Sequence, residues 1–480
     1  MTSSLWPSGG HQVPLPAWPS LPSPSHWDNG QGRWSPPELR IEVATESLAP
    51  VARRLEASCT ERGLRILPSA DVSLRVVLDE QGDESYTIDV GDDVVIRAGS
   101  EGGAFRAAQS VAGGLRGGGD LPRGSFRWEA SIGERGFHLD AARKFFPAGW
   151  IHDLLERMAS LGLNAFQWHF SENEGVRLES LVFPEILSDD HITRDEAREI
   201  LAHAEELHIA VVPSLDMPGH LRQVLSTRPE LRLPQGRNGA DTRHALDITK
   251  PEALDFAKRL IDDYAELFTA SAHWNLGADE FVHFERIEDY PVLAEEAHRR
   301  FGPEATGFDL LTEFTNEIAA HLIDRGFTPR AWNDGLLRSR FVTLDPRIEL
   351  AWWTNWHEGM RPVAEAFTTG HNVLNFNDLQ WYYVLGENAG YHHPTAESAW
   401  AKDWHPGLFR GLPDGTRQEV RPPYPAQLSG AYLSVWSDRP ETESLDDVAR
   451  GLRLPLAAFA ERAWNGGSAL SFARFVQLAE

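Results

Sequence analysis

Asp279 and Glu280 stand side by side at the end of HWNLGADEF (273–281), a run whose apolar-leaning start suits a strand. Two adjacent carboxyls there can divide acid–base work, because crowding pushes one of the two pKa values upward. Comparable groups end other apolar runs: Asp140 and Arg143; His169, Glu172 and Glu174; Asp216 and His220; Trp332, Asn333 and Asp334; Trp352 and Trp353; Asn377 and Asp378 with Trp381, Tyr382 and Tyr383; Trp436 and Asp438. Singly, several have plainer roles. Asp140 and Asp334 each suit a helix N-cap, and His169 suits a hydrogen-bonded core histidine. His392-His393 lack companion acids at ligand spacing, so no metal site is expected. Trp352 and Trp353 cannot share one face of a strand. Together, however, acids, one Arg and several Trp fit a neutral polyhydroxylated ligand. Acids and Arg pair with hydroxyls, and indole faces cover the C–H side of a sugar ring.

Such groups need a scaffold that brings strand ends together. Eight strand candidates occur after residue 130: GFHLD (136–140), NAFQWHF (164–170), IAVVPSLD (209–216), AHWNLGADE, TPRAWND (328–334), IELAWW (348–353), HNVLNF (371–376) and GAYLSVW (430–436). Most alternate with helical patterns such as 193–208, 251–268 and 308–326. Repeated βα units of this kind predict a (β/α)8 TIM barrel over 131–480, with its chemistry at the C-terminal strand ends. A doubly wound sheet would bring a Gly-rich phosphate loop after its first strand, and none follows GFHLD. Residues 38–130 read as a small α+β domain preceding the barrel, with GDD at a hairpin turn. Residues 1–37, rich in Pro, Ser, Gly and Trp, read as an extended arm that either lies on the body or is disordered.

With 45 basic and 71 acidic residues the net charge is −26, which repels phosphate backbones and anionic membranes; neither nucleic acid nor membrane is an expected partner. One cysteine, Cys59, excludes an intrachain disulfide and a cysteine-based zinc site. No apolar run is long enough to span a bilayer. The N-terminal residues show neither a basic nor an apolar leader region, so the chain as written is expected to be cytoplasmic, or exported if a leader was removed.

ERGFHLDAARKFF, WHFSENEGVRLES, SLDMPGH, HWNLGADEF and VWSD, in this order, resemble the motifs of glycoside hydrolase family 20, the β-N-acetylhexosaminidases, over about residues 133–465. WHFSENEG is similar to the dispersin-like and lacto-N-biosidase-like branch. The resemblance implies Glu280 as general acid/base and Asp279 as the group that holds the substrate's 2-acetamido. It implies that Arg143, Glu172 and Asp438 bind the terminal sugar and that Asp216 and His220 buttress the acids. Trp353, Trp381 and Trp436 are implied as the cage around the acetamido methyl. The family has a tyrosine at the end of strand seven, where this chain has Phe376; Tyr382 or Tyr383 is expected to supply that hydroxyl.

Family 20 is a substrate-assisted exception among retaining glycosidases. The acetamido oxygen attacks the anomeric carbon to form an oxazolinium ion, while the enzyme supplies an acid and an anion. The expected partner is an oligosaccharide or glycoconjugate bearing a terminal β-linked N-acetylhexosamine, with no cofactor. Release of a disaccharide, as by a lacto-N-biosidase, or an inactive sugar-binding barrel are the alternative readings.

Overall fold

The computed structural model describes residues 15–79 and 82–480. They form two units, one of the described residues up to 129 with 468–480 and one of residues 130–467. The helix Phe472–Ala479 thus falls with the first unit, whereas the sequence placed it with the barrel.

The first unit is a seven-stranded mixed sheet: β1 His26–Trp34, β2 Glu38–Val43, β3 Arg65–Ile66, β4 Ser73–Leu78, β5 Tyr86–Val90, β6 Val94–Ala98 and β7 Leu121–Trp128. Its order is β1-β7-β5-β6-β4-β2-β3. The Gly91–Asp93 turn joins β5 to β6 as an antiparallel hairpin. Helices Ala49–Glu61 and Glu101–Gly118 complete the unit. The described part of the expected arm lies on the sheet of its own unit. Trp18 is fully buried against Trp128 and Phe126, and β1 pairs with β7. HWDNGQGRW lacks alternation, so pairing and burial of Trp34 make it a strand rather than its own propensity.

The second unit closes eight parallel strands into a barrel: β8 Glu134–Asp140, β9 Ala165–Glu172, β11 Ala210–Met217, β12 His273–Gly277, β13 Thr328–Trp332, β14 Glu349–Trp352, β15 Val373–Asn375 and β17 Leu428–Trp436. β8 pairs with both β9 and β17, which completes the ring. Two short strands, β10 Gly175–Val176 and β16 Tyr382–Val384, extend it locally. All eight expected strands are present. Among the described residues, no helix is long and apolar enough to cross a membrane.

Strand alternation fills the barrel in layers. At the floor, Arg330 is fully buried and pairs with Glu134 (3.0 Å) and Glu349 (2.8 Å), and it donates to the Tyr432 hydroxyl (2.9 Å). Gly136 is required there, because a Cβ would lie 2.1 Å from the Tyr432 ring. Above it, Phe376 stacks on Tyr432 with centroids 4.3 Å apart, and Trp332 meets Phe376 edge-on at 4.8 Å. Trp436 and His138 follow, 4.5 Å apart. This column explains the absent strand-seven tyrosine: the Phe376 ring is enclosed by Tyr432 and Trp332 as part of the aromatic filling.

Candidate active site

β12 ends at Gly277, and the next turn answers why two acids stand together. In an extended strand, neighbouring side chains point to opposite faces. Here Gly277 (φ 88°), Ala278 (φ 73°) and Glu280 (φ 39°) all take left-handed backbone, which breaks that alternation and brings Asp279 and Glu280 into one cavity. Left-handed backbone at non-glycine residues costs about 1–3 kcal/mol each and persists where surrounding contacts enforce it. The contact here is Asp334, whose carboxylate accepts the Glu280 N–H (3.1 Å) and the Trp353 indole N–H (3.2 Å). Gly277 itself has no substitute, since a Cβ would lie 2.8 Å from the Asp216 backbone.

The two acids differ in setting. The Glu280 side chain is 49% exposed, and that of Asp279 only 10%. Burial, then Asp216 and in lesser part Asp334 and Glu280, raise the Asp279 carboxyl well above its ordinary range, while His220 opposes them. The crowding expected of the two adjacent acids raises Asp279, the buried member. Burial and the Glu280 charge likewise push Asp334 up to about 6. Asp334 is thus more than a helix cap.

His220 lies between the acids and a second layer. Its Nε2 is 3.5 Å from Asp279 and 3.7 Å from Glu280, and its Nδ1 pairs with Glu172. Burial works against the imidazolium, but Glu172, Asp279 and Asp216 outweigh it and raise its pKa well above the usual value. Burial likewise opposes the Glu172 charge, yet Arg143 and His220 hold that carboxyl well below its ordinary range. Asp216, His220 and Asp279 bring one ligand-type atom each within 4.8 Å of one another. With His220 already paired to Glu172, the arrangement suits proton sharing among neighbouring acids.

Arg143 closes the far end of the cavity. It pairs with Asp140 (2.9 Å), Glu172 (2.6 Å) and Glu174 (3.2 Å), and lies 3.8 Å from Asp438 and 5.7 Å above the Trp436 ring. Asp140, at the end of β8, accepts the Ala142, Arg143 and Ser437 N–H groups and so fixes both the arginine and the Trp436 loop.

The cavity of about 220 Å³ is walled by Trp332, Trp353, Trp436 and Tyr382, with Arg143, Asp438, His220, Asp279 and Glu280 as its polar groups. Trp353 and Tyr382 are parallel, 6.0 Å apart. Tyr383 points elsewhere: its hydroxyl donates to Glu443 (2.7 Å) and its ring stacks on His393 (3.9 Å). Of the two candidate tyrosines, Tyr382 alone reaches the cavity.

Two sequence assignments, Trp381 and Glu172, need correction. Trp381 is not part of the cage. The short helix Asp378–Trp381 turns it away, into Trp404 (5.0 Å) and Phe459 (5.3 Å), and Trp332 takes the third indole position. Glu172, expected to bind the sugar, is buried one layer behind the wall and acts through Arg143 and His220, and Asp216, buried there too, stands beside His220 and Asp279 as a buttress. His169 is a core histidine bonded to Ser214 (3.0 Å). Unanticipated are Trp356 and Tyr391 at the mouth, both donating to Asp378 (3.0 Å each). They come from loops, where no periodicity marks them, whereas Trp332 was readable as the last inward position of β13.

Residues 134–467 match the catalytic domain of glycosyl hydrolase family 20, and residues 19–127 match domain 2 of that family. Lacto-N-biosidase of Bifidobacterium bifidum is 27% identical over 93% of this chain and 40% of its own length. A beta-hexosaminidase of Vibrio vulnificus is 25% identical over 80% of this chain and 54% of its own. The chain thus spans about half the length of these relatives. In fold it is similar to the exo β-N-acetylglucosaminidase of Vibrio harveyi (TM-score 0.78, 18% identity, 97% of this chain and 77% of that one). The β-N-acetylhexosaminidase of Bacteroides fragilis is similar too (TM-score 0.74, 22% identity, 95% and 93%). With the family's catalytic domain matched across most of the chain, and its two domains matched in order, this protein belongs to glycosyl hydrolase family 20.

Proposed function

We propose that the chain is an exo-acting retaining glycosidase that releases a terminal β-linked N-acetylhexosamine through an oxazolinium intermediate. One observation carries the reading: a half-exposed acid, Glu280, and a buried, crowded acid, Asp279, share a cavity with the indoles of Trp332, Trp353 and Trp436 and with Tyr382. The indoles enclose the acetamido methyl, and Tyr382 donates to the acetamido oxygen. That oxygen attacks the anomeric carbon as the glycosidic bond breaks, and Glu280 gives its proton to the departing oxygen. Glu280 then takes a proton from the water that opens the oxazolinium ring, so the product leaves with retained configuration.

Asp279 acts on the nitrogen. Its negative charge is unfavourable in the empty site, because burial and three carboxyl neighbours oppose it. The positive charge that grows on the acetamido nitrogen offsets that cost, so the interaction strengthens toward the transition state rather than in the ground state. The attack being intramolecular adds an orientation advantage of up to several kcal/mol.

Arg143, held by Asp140 and Glu172 and facing Asp438, caps the cavity where the hydroxyls of a single terminal sugar would lie. This favours release of one sugar. The similarity to a lacto-N-biosidase over 93% of the chain supports a second reading, release of a disaccharide. Rates on 4-nitrophenyl N-acetylglucosaminide, N-acetylgalactosaminide and lacto-N-bioside, measured side by side, decide between them. The mechanism is tested with a thiazoline analogue of the amino sugar, expected to inhibit competitively, and with 2-fluoro sugars. A stable adduct of a 2-fluoro sugar on Asp279 or any other acid, seen by mass spectrometry, overturns it.

A further inference from the structure

Beside the indole cavity, the backbone of Gly386 (φ 75°), Glu387 (φ 48°), Ala389 (φ 53°) and Gly390 (φ 83°) is left-handed, and two of these residues carry a Cβ. Non-glycine residues keep such backbone only where surrounding contacts enforce it. The contacts lie at both ends of the loop. At its base, the His393 ring stacks on Tyr383 (3.9 Å), its Nε2–H donates to the Val384 carbonyl (3.0 Å), and Glu443 lies 3.2 Å away. Glu387 accepts the His393 backbone N–H and faces the His392 ring, at 3.2 Å each. At its tip, the Asn388 amide donates to Asp438 (3.1 Å). Ala389 and Tyr391, next to the tip, line the cavity.

Asp438 is thereby shared. Its Oδ2 accepts from Asn388, and its Oδ1 lies 3.8 Å from Arg143. Only the NH2 end of an asparagine can meet a carboxylate, so this bond fixes which way the amide points. Arg143 is closed on its other sides by Asp140, Glu172 and Glu174. A terminal sugar whose hydroxyls face Arg143 and Asp438 therefore has Asn388 directly beyond them. A second sugar joined at that edge needs the space the amide fills. Discrimination can be built as an obstruction to the wrong ligand as well as a contact to the right one. An obstruction works only if it cannot swing aside, and the clamp at His393 supplies that.

Resting on the glycosidase reading above, we propose that the segment 386–393 is a fixed stop that restricts the enzyme to an unsubstituted terminal N-acetylhexosamine, with Asn388 as its specificity-determining residue. His393 is the positioning residue that holds the stop in place. An amino sugar extended at its hydroxyl edge, such as the N-acetylglucosamine of lacto-N-bioside, is refused.

The test measures kcat/KM on 4-nitrophenyl N-acetylglucosaminide and on 4-nitrophenyl lacto-N-bioside, which share a leaving group and differ only by the added galactose. The parent should favour the first by about 100-fold or more. In Asn388→Gly the value on the N-acetylglucosaminide should fall about threefold, because Asp438 loses one anchor, while the value on lacto-N-bioside rises. The ratio of the two then moves about tenfold toward the disaccharide, the equivalent of about 1.4 kcal/mol. A residue with a structural role alone would lower both values together. His393→Ala, which loosens the base of the loop outside the cavity, should move the ratio the same way by about threefold, and it decides the matter if Asn388→Gly disturbs folding. The proposal is overturned if the ratio stays within about twofold of the parent's, if it moves toward the monosaccharide, or if the parent already prefers lacto-N-bioside; in each case the glycosidase reading stands. A parent inert on both substrates and on the N-acetylgalactosaminide overturns the glycosidase reading, and the proposed stop with it.

Discussion

The barrel buries carboxylates at both ends, and the two ends treat them in opposite ways. At the floor, Glu349 is 5% exposed and lies against Arg330 and His273. Burial alone would raise its pKa, but the Arg330 charge and then the His273 hydrogen bond pull it down to about 2. At the mouth, Asp334 is fully buried with hydrogen bonds but no cation in contact, and it rises to about 6. Asp216 and Asp279 rise as well, because burial outweighs the opposing pull of His220 on both. Equal desolvation thus gives opposite outcomes, decided by whether a partner charge is within contact distance. The floor is satisfied by its own residues. The mouth keeps a charge deficit, which the growing positive charge of the proposed substrate would relieve at some cost in stability.

The first prediction separates the two ends by what they control. Glu280→Gln should lower kcat on diacetylchitobiose by about 10²–10⁴-fold, the usual worth of general acid–base catalysis. Aryl glycosides should suffer less in their first step, because their leaving group needs no proton. The melting temperature should stay within a degree or two of the parent, because the side chain is half-exposed. An unchanged disaccharide rate removes Glu280 from the role.

Arg330→Ala should do the reverse. It strands Glu134 and Glu349 beside the Tyr432 hydroxyl. Breaking a buried ion cluster by removing one partner costs about 3–5 kcal/mol. Urea denaturation should show this loss, with kcat on the surviving folded fraction close to the parent value. A loss under about 1 kcal/mol would mean the floor is no better satisfied than the mouth.

How much of this contrast was readable in sequence follows from where each residue sits. Barrel strands announce themselves by alternation, so Glu349, Ala351 and Trp353 fall on one face and Trp352 on the other. β1 and β7 do not: HWDNGQGRW and LPRGSFRW carry Gly, Pro and charge, and only pairing makes them strands. Groups at strand ends were found because barrel geometry places chemistry there. Trp356 and Tyr391 were not, since loop positions carry no period. Trp381 failed for a local reason, a single helical turn between strand end and residue that rotates it outward. The arginine floor went unremarked because one Arg in TPRAWND looks like any strand residue until its partners, distant in sequence, close around it.

Tyr382 and Tyr383 give a smaller version of the comparison in adjacent residues. Tyr382→Phe should lower kcat about 10²-fold, as loss of one donor to developing charge does. Tyr383→Phe should leave kcat unchanged, because that hydroxyl serves Glu443. Equal effects of the two changes would mean that the cavity works without a tyrosine donor.

The smallest effect is the most diagnostic, because its sign differs between the ends. The Asp334 pKa is raised in the folded state, from an ordinary 3.8 to about 6. Its contribution to stability is therefore fully present below about pH 4 and is lost as pH rises through 6. Over that window the loss is at most about 3 kcal/mol. Asp334→Asn removes the titration but also one of two hydrogen-bond acceptors, worth about 1 kcal/mol. The variant should be slightly less stable than the parent at pH 4 and more stable at pH 8, while its kcat falls because the turned Glu280 backbone and the Trp353 indole lose their common anchor. Glu349→Gln should show the opposite slope. The parent gains from Glu349 above about pH 4.5 and loses that gain as pH falls toward about 2, so the variant's deficit is full at neutral pH and shrinks in acid. Urea denaturation of Asp334→Asn at pH 4, 6 and 8, and of Glu349→Gln at pH 2.5, 4 and 6, measures the two slopes. If Asp334→Asn follows the slope of Glu349→Gln, the mouth holds its carboxylates as comfortably as the floor does, and the charge deficit proposed to drive ligand binding is absent.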